Sequence, residues 1–316
     1  GELPKYKPLE LIDGHPRRVV ILGSGDIGLI MARRLTLEGA TVLCVAEARP
    51  VPGGLERNVS QCLYDFGIPL YLSTTVTQIF GPKRVEGVEL CQVDAQGQPM
   101  PETARRVDCD TLLLSVGLIP ENEVGSKAGM AVDPATNGAV TDDFLQTNLP
   151  GVFACGNSRK VMDLADFVTR QGDAAGGNAA RFVLGLPLEK MPPEQANAMA
   201  KGLPKPGIIT CIRCPKGCRV MLGADGKTEG NACPKGEEYA LQEAKAPKRM
   251  LTTTLKNAAG KLVPVKTSAG VPKEALLRCM DVVRGLPPIP EGLHCGKVAV
   301  SDPFGLGIDL VVTGDQ

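Results

Sequence analysis

The run from Arg18 to Glu47 constrains this chain more than any other stretch, because it reads as strand, tight glycine turn, helix and strand. Val19-Val20-Ile21-Leu22 is an unbroken apolar run suited to a strand buried on both faces. It leads into Gly23-Ser24-Gly25-Asp26-Ile27-Gly28, the G-x-G-x-x-G spacing. Each glycine answers a separate need. Gly23 allows the turn, Gly25 lets a pyrophosphate approach the backbone, and Gly28 lets the helix pack close to the strand. Asp26 and Ile27 fill the positions between and are counted with the cofactor-binding residues. The helix continues through Ile30, Met31, Leu35 and Leu37, and Gly39 is placed to end it. Thr41 to Ala46 is the second strand, with Glu47 at its end.

A bare glycine pattern is common, but here it follows a strand, opens a helix and has an acid about twenty residues on. That context favours a dinucleotide site over an ordinary structural βαβ unit. Glu47 is expected to accept hydrogen bonds from the adenosine ribose and to repel a 2′-phosphate, which favours NAD(H) over NADP(H). Arg49 is either a solvated loop residue or a phosphate partner.

With 316 residues the chain can bury more than one core. Lysine plus arginine and aspartate plus glutamate number 35 each, so no charge excess points to nucleic acid or an acidic membrane surface. No apolar run is long enough to span a membrane and the first residues are not a signal peptide, so a cytoplasmic protein is expected. Eleven cysteines without an export signal argue for thiolates with a use rather than a disulfide framework.

Five spans follow in order: a Pro-rich, charged leader at 1–17, a dinucleotide domain at 18–122, a further segment at 123–186, a linker at 187–207 and a cysteine-rich domain at 208–316. Glu56 to Phe66 can form a helix stopped by Gly67, and Ile68 to Leu72 a short strand. Val85 to Val93 and Arg105 to Val107 alternate as strands around a turn at Ala95-Gln96-Gly97. Thr111 to Val116 is another buried strand, followed by Gly117-Leu118-Ile119-Pro120. Strands alternating with helices give an α/β, Rossmann-type fold, with a small α+β four-cysteine domain after it. The proline-rich linker has room for one short helix at 194–201.

Three stretches in this order resemble the pyridine nucleotide–disulfide oxidoreductase family: Gly23 to Gly28, Ser115-Val-Gly117-Leu-Ile-Pro120, and Thr147-Asn-Leu-Pro-Gly-Val-Phe-Ala-Cys-Gly156-Asn157. The likeness covers about residues 18–186. It implies nested dinucleotide domains, with Gly117 on the nicotinamide dinucleotide and Gly156 and Asn157 on FAD. A helix within 161–184 would then aim its N-terminus at the flavin. Departures are visible. Asn157 stands where the family has aspartate, and Ile30 where it often has glutamate. Residues 1–17 hold neither the family's first glycine motif nor its redox-active cysteine pair. The expectation is therefore only the final part of a flavin domain, with FAD bound across a junction to a missing N-terminal half. The alternative is that residues 141–186 are a structural remnant.

Cys211, Cys214, Cys218 and Cys233 lie within 23 residues, as C-x2-C-x3-C and a distant C-P-K-G. This spacing suits a [4Fe–4S] cluster, with zinc as the alternative metal. Between Cys218 and Cys233, a hairpin on Asp225-Gly226 pairs residues whose numbers sum to 451, which these two cysteines do. Gly217, Gly230 and Gly236 supply permissive backbone, and Lys216 and Lys235 would offset cluster charge. Residues 208–236 resemble the small iron–sulfur domain that begins molybdopterin oxidoreductases; only 80 residues follow, so molybdenum is not implied. The whole segment, with Arg249 to Lys256 and Val263 to Thr267, also resembles an uncharacterised domain found in anaerobes beside flavin dehydrogenases.

Other cysteines are weaker candidates. Cys44, Cys62, Cys155 and Cys279 read as packing residues, Cys279 on a helix whose apolar stripe is Leu276, Leu277, Met280 and Val283. No catalytic acid or base stands out. The whole reads as an oxidoreductase passing electrons among NAD(H), FAD and a [4Fe–4S] cluster. Its partner would be a redox protein: a flavin-dependent dehydrogenase or the chain carrying the other half of the FAD domain. The alternative is a non-catalytic NAD-binding subunit docked through a zinc-stapled module. A complete disulfide reductase is disfavoured by the absent cysteine pair.

Overall fold

The computed structural model describes residues 16–162, 165–192, 207–223 and 225–314. The expected helix at 194–201 lies outside them. The chain forms two compact units, one of Gly1–Ser115 with Ala200–Gln316 and one of Val116–Met199.

The first unit begins with β1 (Arg18–Leu22), α1 (Asp26–Leu37), β2 (Thr41–Ala46), α2 (Glu56–Cys62) and β3 (Leu70–Tyr71). Then come β4 (Thr74–Phe80), β5 (Gly87–Gln92), β6 (Arg105–Val107) and β7 (Thr111–Leu114). A parallel sheet runs β3-β2-β1-β7, a Rossmann-type order. Val19, Val20 and Ile21 are fully buried because helices and the second sheet cover both faces, which is why their run shows no alternation. The second sheet, β4-β5-β6, is antiparallel and packs Val88 and Leu90 against Val20 and Cys44. β4 is unassigned in the sequence reading; its Thr-rich, half-exposed residues carry little apolar signal. Gly39 (φ +94°) follows α1 and donates its N–H to Thr36 O, the expected helix stop. Gly67 (φ +64°) closes the turn after α2 in the same way.

In the second unit, α3 (Glu123–Lys127) precedes a series of turns and α4 (Ala165–Val183), the helix expected within 161–184. The first unit resumes with β8 (Ile208–Thr210), β9 (Arg219–Leu222), β10 (Thr228–Glu229), α5 (Pro234–Lys245), β11 (Lys248–Arg249) and β12 (Thr252–Lys256). It closes with β13 (Leu262–Thr267), β14 (Val271–Pro272), α6 (Leu276–Arg284), β15 (Val298–Val300) and β16 (Leu310–Val312). The antiparallel sheet β12-β13-β16-β15 alternates buried and exposed residues and shares one core with Leu37 of α1. α6 buries Leu276, Cys279, Met280 and Val283, but Leu277 is 49% exposed, so the predicted stripe loses that member.

The β9–β10 hairpin departs from its predicted register. Thr228 pairs with Leu222 and Glu229 with Met221, so paired numbers sum to 450. Gly223 N–H donates to Lys227 O, closing a loop with an odd number of residues in place of the two-residue turn. Gly230 (φ +91°) then ends pairing, so the ladder does not carry Cys233 across from Cys218.

Charge ties the C-terminal region to the parallel-sheet region. Arg249, 4% exposed, grips Asp65 through Nε (2.6 Å) and Nη2 (3.1 Å) and Glu243 through Nη1 (2.7 Å). Lys273 also reaches Asp65, at 3.3 Å. Arg34 donates to Thr252 O (2.8 Å) and Arg284 to Leu37 O at the end of α1. The part of α2 that follows Leu55 meets the cysteine loop through an Arg219–Glu56 ion pair.

Candidate functional site

Strand order departs in opposite directions from β1, to β2 on one side and β7 on the other, and open α/β sheets bind ligands at the C-terminal ends of strands at such a point. Gly23 turns the chain there with φ +98°, a conformation that glycine alone adopts freely. A Cβ on Gly28 would lie 2.4 Å from Gly23 O and 3.0 Å from the Ser115 side chain, so glycine is what lets α1 meet the turn. A Cβ on Gly25 would meet only Ser115 Oγ, at 4.0 Å, which leaves space over that residue. Gly25 caps α1 without a side-chain bond, and the helix's first N–H groups face this opening. Ile27 is 69% exposed.

Glu47 ends β2 and turns back onto the glycine turn. Its Oε2 accepts from Ser24 N (3.0 Å) and Ser24 Oγ (2.5 Å), and its Oε1 from Arg49 N (3.0 Å) and Nε (3.2 Å). Burial raises the carboxyl's pKa, but the bonds from Ser24 and Arg49 outweigh it and hold the group below its ordinary range. Asp26 is engaged too: its Oδ1 accepts from Leu55 N (2.7 Å) and Asn58 Nδ2 (2.8 Å).

Sequence reasoning misses the loop that completes this turn, residues 50–55. Gly53 N–H donates to Ser24 Oγ and Gly54 N–H to Ser24 O, both at 2.8 Å. A Cβ on Gly54 would lie 2.6 Å from Asp26 Oδ1 and 2.7 Å from Leu29. The Gly-Gly pair after Pro52 was the available signal.

In the second unit, Gly117 (φ +101°) has nothing within 4 Å of a would-be Cβ. Gly156 (φ +60°) donates its N–H to Gln171 Oε1 (2.8 Å), a fully buried amide on α4 that the sequence reading does not single out. Asn157 Oδ1 accepts from Met162 N at 3.2 Å. Asn122 holds the neighbouring turn, donating to Asn137 O (2.7 Å) and Ser158 O (2.8 Å).

Cys211 is buried, Cys218 half-buried, and Cys214 and Cys233 are exposed. Cys211 N–H donates to Cys218 O at 2.8 Å. Burial raises the Cys211 pKa above its ordinary value, against a bond from Arg213 N–H that lowers it. Cys233 is the N-cap of α5, with Pro234 in its first turn. No group of three or more His, Cys, Asp or Glu side chains among the described residues is arranged to hold a metal ion. Gly217 (φ +56°) packs against Glu56 and Arg57 of α2, 3.2 Å from Glu56 Cβ to its would-be Cβ. Cys44, Cys62 and Cys279 lie in cores, where burial pushes the thiols up, to about 11 for Cys44 and about 12 for Cys62.

Residues 4–172 match the family described as pyridine nucleotide-disulphide oxidoreductase, and the chain belongs to it. NAD(P) and FAD are the usual cofactors of this family. Residues 234–314 match a second family, described as a protein of unknown function, DUF1667. Relatives include an NADH oxidase of Methanocaldococcus jannaschii, 30% identical over 52% of this chain and 37% of that protein. A thioredoxin reductase of Listeria monocytogenes is 29% identical over 53% of this chain and 50% of that protein. A nitric oxide reductase FlRd-NAD(+) reductase of Aeromonas salmonicida is 30% identical over 72% and 50%. The chain thus spans at most about half the length of these relatives. Among solved structures, thioredoxin reductase of Lactococcus lactis aligns with 54% of each chain, at 23% identity and a TM-score of 0.45. No described helix is long and apolar enough to cross a membrane.

Proposed function

We propose that this chain is the pyridine-nucleotide part of an electron-transfer oxidoreductase that works with NAD(H), FAD and a [4Fe–4S] cluster held by Cys211, Cys214, Cys218 and Cys233. The carrying observation is the C-x2-C-x3-C run closed on itself, with Cys211 N–H donating to Cys218 O at 2.8 Å. The placement of Cys233 at the N-terminus of α5 adds to it, since the free N–H groups of the first turn can point at the sulfurs of a bound cluster. Four thiols with nearby Lys216 and Lys235 form a donor set suited to a cluster or to zinc. When bound, the flavin and cluster supply conversion between hydride and single electrons.

The chain's own residues bind and orient. The start of α1 receives the pyrophosphate and Gly25 leaves room for it. Glu47, already ionised and fixed by Ser24 and Arg49, orients the adenosine ribose. Gly117 lies against the dinucleotide, and Gly156 and Asn157 against the flavin. The partner is a redox protein, either a flavin-dependent dehydrogenase or the polypeptide bearing the other half of the FAD domain. Phe182, Val183 and Leu184, exposed at the end of α4, give it an apolar surface to cover.

Anaerobic purification with iron, sulfide, zinc and flavin counts tests this. About four irons and matching sulfide per chain, with a visible band bleached by NADH once the partner is added, is the expected result. One zinc per chain without sulfide would leave a zinc-stapled docking module.

A further inference from the structure

A cleft of about 640 Å³ lies where the C-terminal end of α1 meets β12 and α6. Its size falls in the range of small-molecule pockets, and its walls are mostly apolar, with Leu255, Met280 and Val283 facing Glu38 to Ala40. One rim is fixed: Arg284 reaches over Gly39 to Leu37 O and pairs with Asp281. Glu38 is likewise committed, to Arg34. Two other cations line the cleft and have no ion-pair partner among the described residues: Arg17, just before β1, and Lys256, at the end of β12. Arg17 Nε is shut off from solvent and has no hydrogen-bond partner among the described residues. A buried guanidinium donor left unpaired is costly, and such a group calls for an acceptor.

We propose that this cleft binds an amphiphilic carboxylate, a small molecule with an anionic head and an apolar body. The head pairs with the Arg17 guanidinium in a charge-assisted hydrogen bond. Lys256 adds a weaker attraction at the rim. The body lies on the Leu255, Met280 and Val283 wall, where it displaces water from apolar surface. The cleft borders the end of α1 opposite to the glycine turn, about 18 Å away along a 12-residue helix. Occupancy is therefore separate from dinucleotide binding.

Isothermal titration of the full chain with octanoate tests the site, with acetate and octan-1-ol as half-probes. Octanoate should bind, and each half-probe should bind at least about tenfold more weakly, since head and body each contribute. Arg17→Gln should weaken octanoate about tenfold or more, the loss of a charged hydrogen-bonded pair. Lys256→Gln, on an exposed residue, should weaken it about threefold at low salt. NADH affinity should stay unchanged in both variants, which also reports that they fold. Absence of octanoate binding overturns the proposal. So does octan-1-ol binding as tightly as octanoate, or unchanged octanoate affinity in both variants while NADH binding is retained.

Discussion

Two glycine-bearing turns in the same compact unit, the one after β1 and the cysteine loop after β8, are furnished in opposite ways. The first is held by its own side chains: Ser24 bonds Glu47 and Gly53, and Asp26 bonds Leu55 and Asn58. The second has few such bonds. Its links include Cys211 N–H to Cys218 O at 2.8 Å, Gly217 N–H to Cys214 O at a long 3.4 Å and an Arg213–Glu238 pair at 3.8 Å, and Cys214 faces solvent. A dinucleotide site can be set in advance, because its ligand needs only a shaped backbone and a dipole. A thiolate site takes much of its order from the ion, since the thiols lose their protons and converge only when a metal joins them. The Arg219–Glu56 pair joins the two regions, so order in one is passed to the start of α2 beside the other.

The largest test asks whether these regions unfold together. Arg249→Met leaves the covered Asp65 and the partly buried Glu243 without their main cation and should cost about 3–5 kcal/mol in urea unfolding. Replacing all three charged residues by apolar ones should cost less, because no buried charge is then stranded. If Arg249→Met instead produced two separate transitions, the C-terminal region would be a module that folds on its own. Next in size is Gly28→Ala. Its Cβ would press on a backbone oxygen that no side-chain rotation can move, so about 1–3 kcal/mol of stability should be lost, along with NADH affinity. The corresponding change at Gly25 meets no neighbour inside ordinary contact distance, so its effect should fall on NADH binding and leave stability nearly intact.

The first turn was legible because its rules are local. Spacing alone places Gly23, Gly25 and Gly28 where strand becomes helix, and an apolar run marks a strand covered on both faces. The family likeness extends that reading to α4. What escaped depends on distant partners. Nothing near Gly53 and Gly54 in the chain says that they close over Ser24, and nothing near Arg249 says that Asp65 is waiting for it. The hairpin register failed for a smaller reason. Asp225-Gly226 marks a turn correctly, but Asp225 Oδ1 accepts from Lys227 N and the loop gains a residue, shifting every pair by one.

A gentler probe of the same contrast is acidity. Glu47 titrates below its ordinary range in the folded chain, so its contribution is fully present above the unfolded carboxylate value of about 4.3. It is lost as pH falls through the lower folded value. Glu47→Gln puts an amide donor against the Ser24 and Arg49 donors and should cost about 1–2 kcal/mol at pH 7. Unfolding curves of parent and variant should converge as pH drops below about 4. A gap that stayed constant with pH would mean that Glu47 acts by shape and not by charge.

The smallest effect is expected at Leu277, where pattern and environment disagree. Helical spacing groups it with Leu276, Met280 and Val283, yet those three are buried and it is 49% exposed. The stripe on α6 is narrow because only one side meets the β12-β13-β16-β15 sheet, so a residue one step round the helix points away from it. Leu277→Ser therefore removes an apolar side chain already half in water and should change stability by no more than about 0.5 kcal/mol. Much of that change would come from helix propensity, serine being the poorer former. A loss of several kcal/mol in urea unfolding would show that something covers this face of α6 in solution, and the C-terminal region would then join the first turn in being complete only with its neighbours.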